Sequence, residues 1–192
     1  MRLSRLALVL GLAAAARPAP GAVAIGQKLQ PFKLGDTSGQ TVDVGADQGR
    51  KAVVLMFIAT QCPVSNAYNE RMAALSREYA SKGVAFIGIN SNRQESVEEI
   101  AAHAASHGFS FPILKDVGNV QADHFGAQVT PEIYVYDSAS VLRYHGRIDD
   151  DRTGANVKSQ DLRSALDALL AGQPVPVAET KAFGCTIKRV AQ

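Results

Sequence analysis

The sequence predicts an α/β domain, a mixed central sheet flanked by helices with a β-hairpin added before it. Three observations predict it. Two continuous apolar, β-branched runs, AVVLMFI (52–58) and VAFIGIN (84–90), read as strands covered on both faces. Each is followed by a segment of helical period. Two further strand-like runs, 131–137 (PEIYVYD) and 141–148, stand together late in the chain, joined by Ser138-Ala139-Ser140 as an antiparallel turn. Two β-to-α crossovers followed by a hairpin and a closing helix make a sheet of mixed sense.

In chain order, Phe32-Lys33-Leu34 and Thr41-Val42-Asp43-Val44 flank GDTSGQ (35–40), a hairpin signal. After the first buried strand the period changes at Pro63. Tyr68, Met72, Leu75 and Tyr79 recur at helical spacing, with Glu70, Arg71 and Arg77 off that stripe. One helix is expected from Pro63 to Lys82-Gly83, because glycine suits the position past a helix end. Beyond VAFIGIN, Ser96-Val97-Glu98-Glu99 has capping-box spacing, and Ile100 and Ala104 carry a second helix to His107-Gly108. Phe111 to Leu114 reads as extended, and Val120 to Phe125 as a short helix before Gly126. Leu162, Leu166, Leu169 and Leu170 mark the last helix. The remainder, 173–192, contains Pro174 and Pro176, has no period, and reads as a mobile tail.

Of the 192 residues, the first 24 have the order of a secretory signal. Arg2 and Arg5 come first, then the apolar stretch Leu6 to Ala16, then Ala22-Val23-Ala24 as a small-x-small cleavage pattern. Cleavage is expected after Ala24, giving a periplasmic or secreted protein that meets a membrane only if the signal stays uncleaved. A membrane span needs about 20 apolar residues, and this core is shorter. Losing Arg2, Arg5 and Arg17 leaves 17 basic residues against 18 acidic ones. Such a balance offers no row of cations for phosphates, so nucleic acid is excluded as a partner. Residues 25–172 suffice for one domain, with 173–192 as its tail.

Two cysteines are present, Cys62 and Cys185. Cys62 sits in FIATQCPVSNAY (57–68), where a strand gives way to a helix. A thiol must ionise to attack, and an ordinary cysteine with a pKa of about 8.5 is only a few per cent thiolate at neutral pH. At a helix start the sulfur faces unpaired N–H groups and the positive end of the dipole, both favouring the anion. Pro63 fits the first helical position, where its missing N–H costs nothing. Ser65, three residues on, either donates its hydroxyl to the thiolate or only helps the first turn; it cannot form a disulfide. Any intramolecular disulfide must use Cys185, either as a resolving thiol on a mobile tail or as a permanent pin.

The combination resembles the thioredoxin-like superfamily. It rests on a strand, then Cys62-Pro63-Val64-Ser65 opening a helix, then Thr130-Pro131 directly before a later strand. GDTSGQTVDV, DVGNVQADHFGAQVTPEIYVYD and YHGRIDD, in that order, resemble its redoxin branch, the alkyl hydroperoxide reductase and thiol-specific antioxidant proteins. The resemblance implies a thioredoxin-like fold with Cys62 as the reactive cysteine and Thr130-Pro131 as a cis-proline loop facing it. It implies an oxidoreductase acting on a protein disulfide or oxidised thiol, served by a separate thiol reductase, with no cofactor and no metal. The chain departs from relatives at several positions. Gln61 and Ser65 stand where a dithiol thioredoxin has tryptophan and its second cysteine, and Met56 where it has a buried acid. Leu55 and Ala59 stand where a peroxiredoxin has proline and threonine, with Thr60 one residue too close to the cysteine. These departures count against dithiol exchange within one motif and against efficient peroxide reduction.

Three further groups draw attention. Arg143 and Arg147 are candidate cations for the thiolate, or solvated strand residues. His103 and His107, four apart, form a candidate metal pair or an exposed helix face. Asp149-Asp150-Asp151 lacks calcium-loop spacing and reads as a charged turn. Besides disulfide exchange, thiol peroxidase chemistry on the same two cysteines is the rival activity. A metal-handling module using Cys62 with histidine or methionine is a third.

Overall fold

The computed structural model describes residues 22–45 and 49–191. Nearly all of the expected signal segment, residues 1–21, lies outside the described residues. Among them no helix is long and apolar enough to cross a membrane.

The hairpin strands β1 (Phe32–Gly35) and β2 (Thr41–Val44) pair antiparallel. The central sheet has five strands in the order β5-β4-β3-β7-β8, made of β3 (Ala52–Phe57), β4 (Val84–Asn90), β5 (Ile113–Lys115), β7 (Glu132–Asp137) and β8 (Leu142–Gly146). β3, β4 and β5 run parallel through helical crossovers, and β7 and β8 join antiparallel, so the sheet is mixed as expected. The helices are α1 (Pro63–Asn66), α2 (Asn69–Ala80), α3 (Val97–Ser106), α4 (Val120–Phe125) and α5 (Asp161–Leu170).

The period-2 geometry of β3 sends alternate residues to two cores. Val54 and Met56 join Tyr68, Met72 and Tyr79 from the α2 side and Leu162 and Leu166 of α5. Leu55 and Phe57 face Tyr134, Phe125 and Val44 on the other side. There the cover is α4 and the hairpin rather than long helices. The capping box at Ser96 is made in full, with Ser96 Oγ accepting from Glu99 N–H and Glu99 accepting from Ser96 N–H.

Two expectations are corrected. The single helix from Pro63 is two, because the Tyr68 N–H turns to Ser65 O, three residues back, before Met72 resumes the four-residue pattern on Tyr68 O. Tyr68 is buried there with its hydroxyl on Asp149. The tail is not loose. It forms β9 (Cys185–Thr186), antiparallel to β6 (Val129–Thr130), and its Ile187 is buried in the second core. Phe183 packs on the first core and Ile187 is buried in the second, so no single apolar face recurs along the tail to be read as a period.

Candidate active site

Cys62 is the N-cap of α1. Its extended backbone turns the side chain back over the first turn, and Sγ accepts the Ser65 N–H at 3.2 Å. Ser65 therefore acts through its amide. Its hydroxyl oxygen is engaged elsewhere, accepting the Ala59 N–H at 3.2 Å. Pro63 opens the helix, as expected. Since α1 is a single turn of 4 residues, the field at the sulfur comes from these nearby amides rather than from a long dipole.

Cys62 Sγ is bonded to Cys185 Sγ, with a Cα–Cα distance of 5.8 Å across 123 positions. The Thr130–Pro131 peptide is cis, and the Thr130 carbonyl oxygen lies 3.3 Å from Cys62 Sγ. That contact becomes an S–H donation only in the protonated thiol, so the carbonyl opposes ionisation where Ser65 N–H favours it. Thr130 and Cys185 are register partners in the β6–β9 pair. Gly184 permits this approach, because a Cβ there would collide with the Thr130 carbonyl. Thr130 Oγ1 is buried and meets no partner among the described residues. Cys62 is only 2% exposed, while Cys185 is partly exposed.

Two buried glutamates hold the loops that frame this disulfide. Glu95 accepts the Thr60 N–H at 2.8 Å and the Gln61 N–H at 3.1 Å, with Asn90 and Asn92 amides completing its shell. Thr60 serves through its backbone, its carbonyl also accepting Asn66 Nδ2 at 2.8 Å. Glu132, following Pro131, accepts the Gln128 and Val129 N–H groups at 2.8 and 3.1 Å and pairs with His145 Nε2 at 2.7 Å. Burial alone would raise both carboxyl pKa values, but the donated hydrogen bonds outweigh it and hold both below the ordinary glutamate value. Burial, with Glu132 beside it, pushes the Tyr134 hydroxyl far above the ordinary tyrosine range, so it stays a donor to that carboxylate. Neither glutamate stands out in the sequence. Glu95 reads as one more acid before a helix, and only the fold brings it under residue 60.

The AhpC/TSA family model matches residues 25–145. The chain belongs to the AhpC/TSA family. It is 30% identical over 119 residues to the thioredoxin-like protein YneN of Bacillus subtilis (strain 168), covering 62% of this chain and 68% of that one. A hypothetical protein from Sinorhizobium meliloti 1021 superposes with a TM-score of 0.83 at 33% identity, covering 89% of this chain and 97% of that one. A secreted Mycobacterium tuberculosis disulfide oxidoreductase, described as homologous to E. coli DsbE, has a TM-score of 0.56 at 21% identity, covering 73% and 95%, and shares the fold. The fold is thioredoxin-like, and this AhpC/TSA protein is an oxidoreductase of thiols and disulfides.

The remaining candidates of this AhpC/TSA protein are engaged with partners of their own. Arg147 Nε donates to Asp161 Oδ2 at 2.7 Å, and that carboxylate holds the guanidinium pKa up. Its cation is thus committed to the start of α5 rather than to the sulfur. Arg143 likewise pairs with Asp137 at 2.6 Å. Met56 is wholly buried in the first core, leaving an apolar side chain where a dithiol thioredoxin has its acid. His103 contacts Asn69 Nδ2 at 3.1 Å and lies against His107 with ring centroids 4.2 Å apart and planes tilted by 35°. Asp149, Asp150 and Asp151 accept backbone N–H groups, with Asp149 also pairing with Arg71 at 2.5 Å; the run is a charged turn whose carboxylates are taken up by Arg71 and by amides of the loop that follows.

Proposed function

We propose that this protein is an exported thiol–disulfide oxidoreductase in which Cys62 is the attacking thiolate and Cys185 the resolving thiol. One observation carries the reading. The two cysteines meet across 123 positions, with one sulfur on a helix-start amide and beside the cis Thr130–Pro131 bond. Export is supported by the charge, apolar and small-residue order of residues 1–24.

The Cys62 thiolate attacks one sulfur of a protein disulfide. The substrate S–S bond breaks, its other sulfur leaves as a thiolate that takes a proton from solvent, and a mixed disulfide forms. The Cys185 thiolate then attacks the Cys62 sulfur, forming Cys62–Cys185 and releasing the second substrate sulfur. The substrate gains two electrons and two protons, which a separate thiol reductase resupplies by reducing the pair. Thr130 and Pro131 form the substrate side of the sulfur, the position the tail strand fills in the disulfide form.

Family membership favours a second reading, thiol peroxidase. There the Cys62 thiolate attacks a peroxide oxygen, the O–O bond breaks and an alcohol or water leaves. Cys185 then displaces water from the Cys62 sulfenic acid. The commitment of Arg147 to Asp161 weighs against it. Insulin reduction and hydrogen peroxide consumption, with a dithiol donor, separate the two. Wild type is expected to reduce insulin, Cys62→Ser to lose that activity, and Cys185→Ser to accumulate a mixed disulfide on Cys62. Peroxide consumption with intact insulin would transfer the assignment to peroxidase. A pair that excess dithiothreitol cannot open would overturn both readings.

A further inference from the structure

The loop between β4 and α3 touches the backbone beside both cysteines. On the Cys62 side, Glu95 receives the Thr60 and Gln61 N–H groups. On the Cys185 side, Asn92 Oδ1 accepts the Lys188 N–H at 2.7 Å, and the Arg93 N–H donates to the Lys188 carbonyl at 2.9 Å. Asn92 Nδ2 donates in turn to Glu95 Oε1 at 2.8 Å. One amide side chain therefore spans from the carboxylate that holds the Cys62 loop to the segment just past the Cys185 strand. Asn92 is 5% exposed, so water is a poor substitute for either bond. Lys115 braces the loop, its Nζ donating to Asn90 Oδ1 at 3.1 Å and to the Asn92 and Glu95 carbonyls at 2.6 and 2.7 Å.

We propose that Asn92 is a positioning residue for disulfide exchange. It holds the Cys185 strand opposite Cys62 in the oxidised protein and so sets how strongly the fold favours the disulfide over the dithiol. The proposal rests on the reading that this pair cycles. When the S–S bond is cut, its re-formation depends on how often the tail returns the Cys185 sulfur to Cys62, which is an effective concentration. Two residues of strand pairing hold a tail weakly. The Asn92 bond anchors the tail at Lys188, between the Ile187 N–H on the Gln128 carbonyl and the Val190 N–H on Asn119 Oδ1. The Glu95 bonds to residues 60 and 61 lie within the body and persist in both redox forms. The Asn92–Lys188 bond belongs to the docked tail, and it counts toward the disulfide's equilibrium constant.

The test equilibrates the full chain in glutathione buffers and reads the oxidised fraction by mass after alkylation. Asn92→Ala is expected to move the equilibrium toward the dithiol about fivefold, the effect of one net hydrogen bond. That corresponds to a potential about 20 mV less negative, at about 30 mV per tenfold. Ser76→Ala removes a buried hydroxyl of α2 that is bonded to Ala73 and Ser110 and to neither loop. It is expected to lower the melting temperature and leave the equilibrium in place, which separates positioning from general destabilisation. If Asn92→Ala yields too little folded protein, Asn92→Ser serves, since a hydroxyl is too short to span both partners. An Asn92 variant within about twofold of wild type overturns the proposal, being less than half the expected bond. A wild-type disulfide unresponsive to glutathione at any ratio removes the cycling pair itself, and the proposal with it.

Discussion

Thr130 carries a hydroxyl that the oxidised fold buries without a partner among the described residues. An unsatisfied buried hydroxyl costs about 1–3 kcal/mol, and valine has nearly the same shape without it. Thr130→Val is therefore expected to stabilise the oxidised protein by about 1 kcal/mol in urea denaturation; an unchanged or lower midpoint would show that the hydroxyl has a partner in solution. Glu95 works in the opposite sense, as a buried polar group with a full shell. Its carboxyl is held below its ordinary value of 4.5 by the Thr60, Asn92, Asn90 and Gln61 donors, against the upward push of burial. As pH falls, the unfolded chain takes up that proton before the folded one does. The stability Glu95 contributes is thus complete above about pH 4.5 and drains away as pH drops through the lowered folded value. Denaturation at pH 7 and pH 3 should show Glu95→Gln losing less stability between the two than wild type, because glutamine has no proton to gain. Equal losses would mean that other carboxylates dominate the acid slope.

At the scale of elements, two short segments have different supports. Helix α3 is stabilised locally, by the Ser96–Glu99 capping box, and Ser96→Ala should cost about 1 kcal/mol of stability while leaving the disulfide equilibrium unmoved. A loss well under half of that would place the stability of α3 in Ile100 and its packing instead. The tail has no such local code. It is held by partners remote in sequence, from Thr180 on the His145 carbonyl to Val190 N–H on Asn119 Oδ1. Cys62 is almost sealed in the disulfide form, so the proposed cycle requires β9 to leave β6 on reduction before a substrate disulfide can meet the Cys62 thiolate. Amide exchange in residues 178–190 should accordingly speed up on reduction far more than in β3 or β4. Equal protection in both redox states would instead describe a permanently docked strap.

For the whole molecule, the disulfide closes a loop of 123 positions. The chain-entropy account assigns such a closure about 4–5 kcal/mol of stability, acting chiefly on the unfolded chain. Oxidised protein should therefore withstand more urea than reduced protein by about that free energy, measured with the same probe in both states. A difference below about 1 kcal/mol would mean that the reduced unfolded chain already keeps its ends together. The same quantity works in reverse. Whatever the disulfide adds to the fold, the fold adds to the disulfide, so a docked tail makes the pair harder to reduce.

Local code was legible from the hairpin to the last helix, with the break before α2 as its exception. The buried strands read at 52–58 and 84–90, the capping box at Ser96 and the helix-start position of Cys62 follow from neighbouring residues, whose periods and turn chemistry act over a few positions. The family comes from the resemblance of several motifs in order along the chain. The break before α2, the docking of the tail and the two glutamates beneath the active loops do not follow from neighbouring residues. Glu95 and Thr60 are 35 positions apart, Asn92 and Lys188 96 apart, and the chain marks neither pairing. The sequence by itself determined which sulfur stands at a helix start and which other sulfur is available to it. Only the tertiary structure decided that they meet, because hydrogen bonds and packing between distant segments form only after the sheet has brought those segments together.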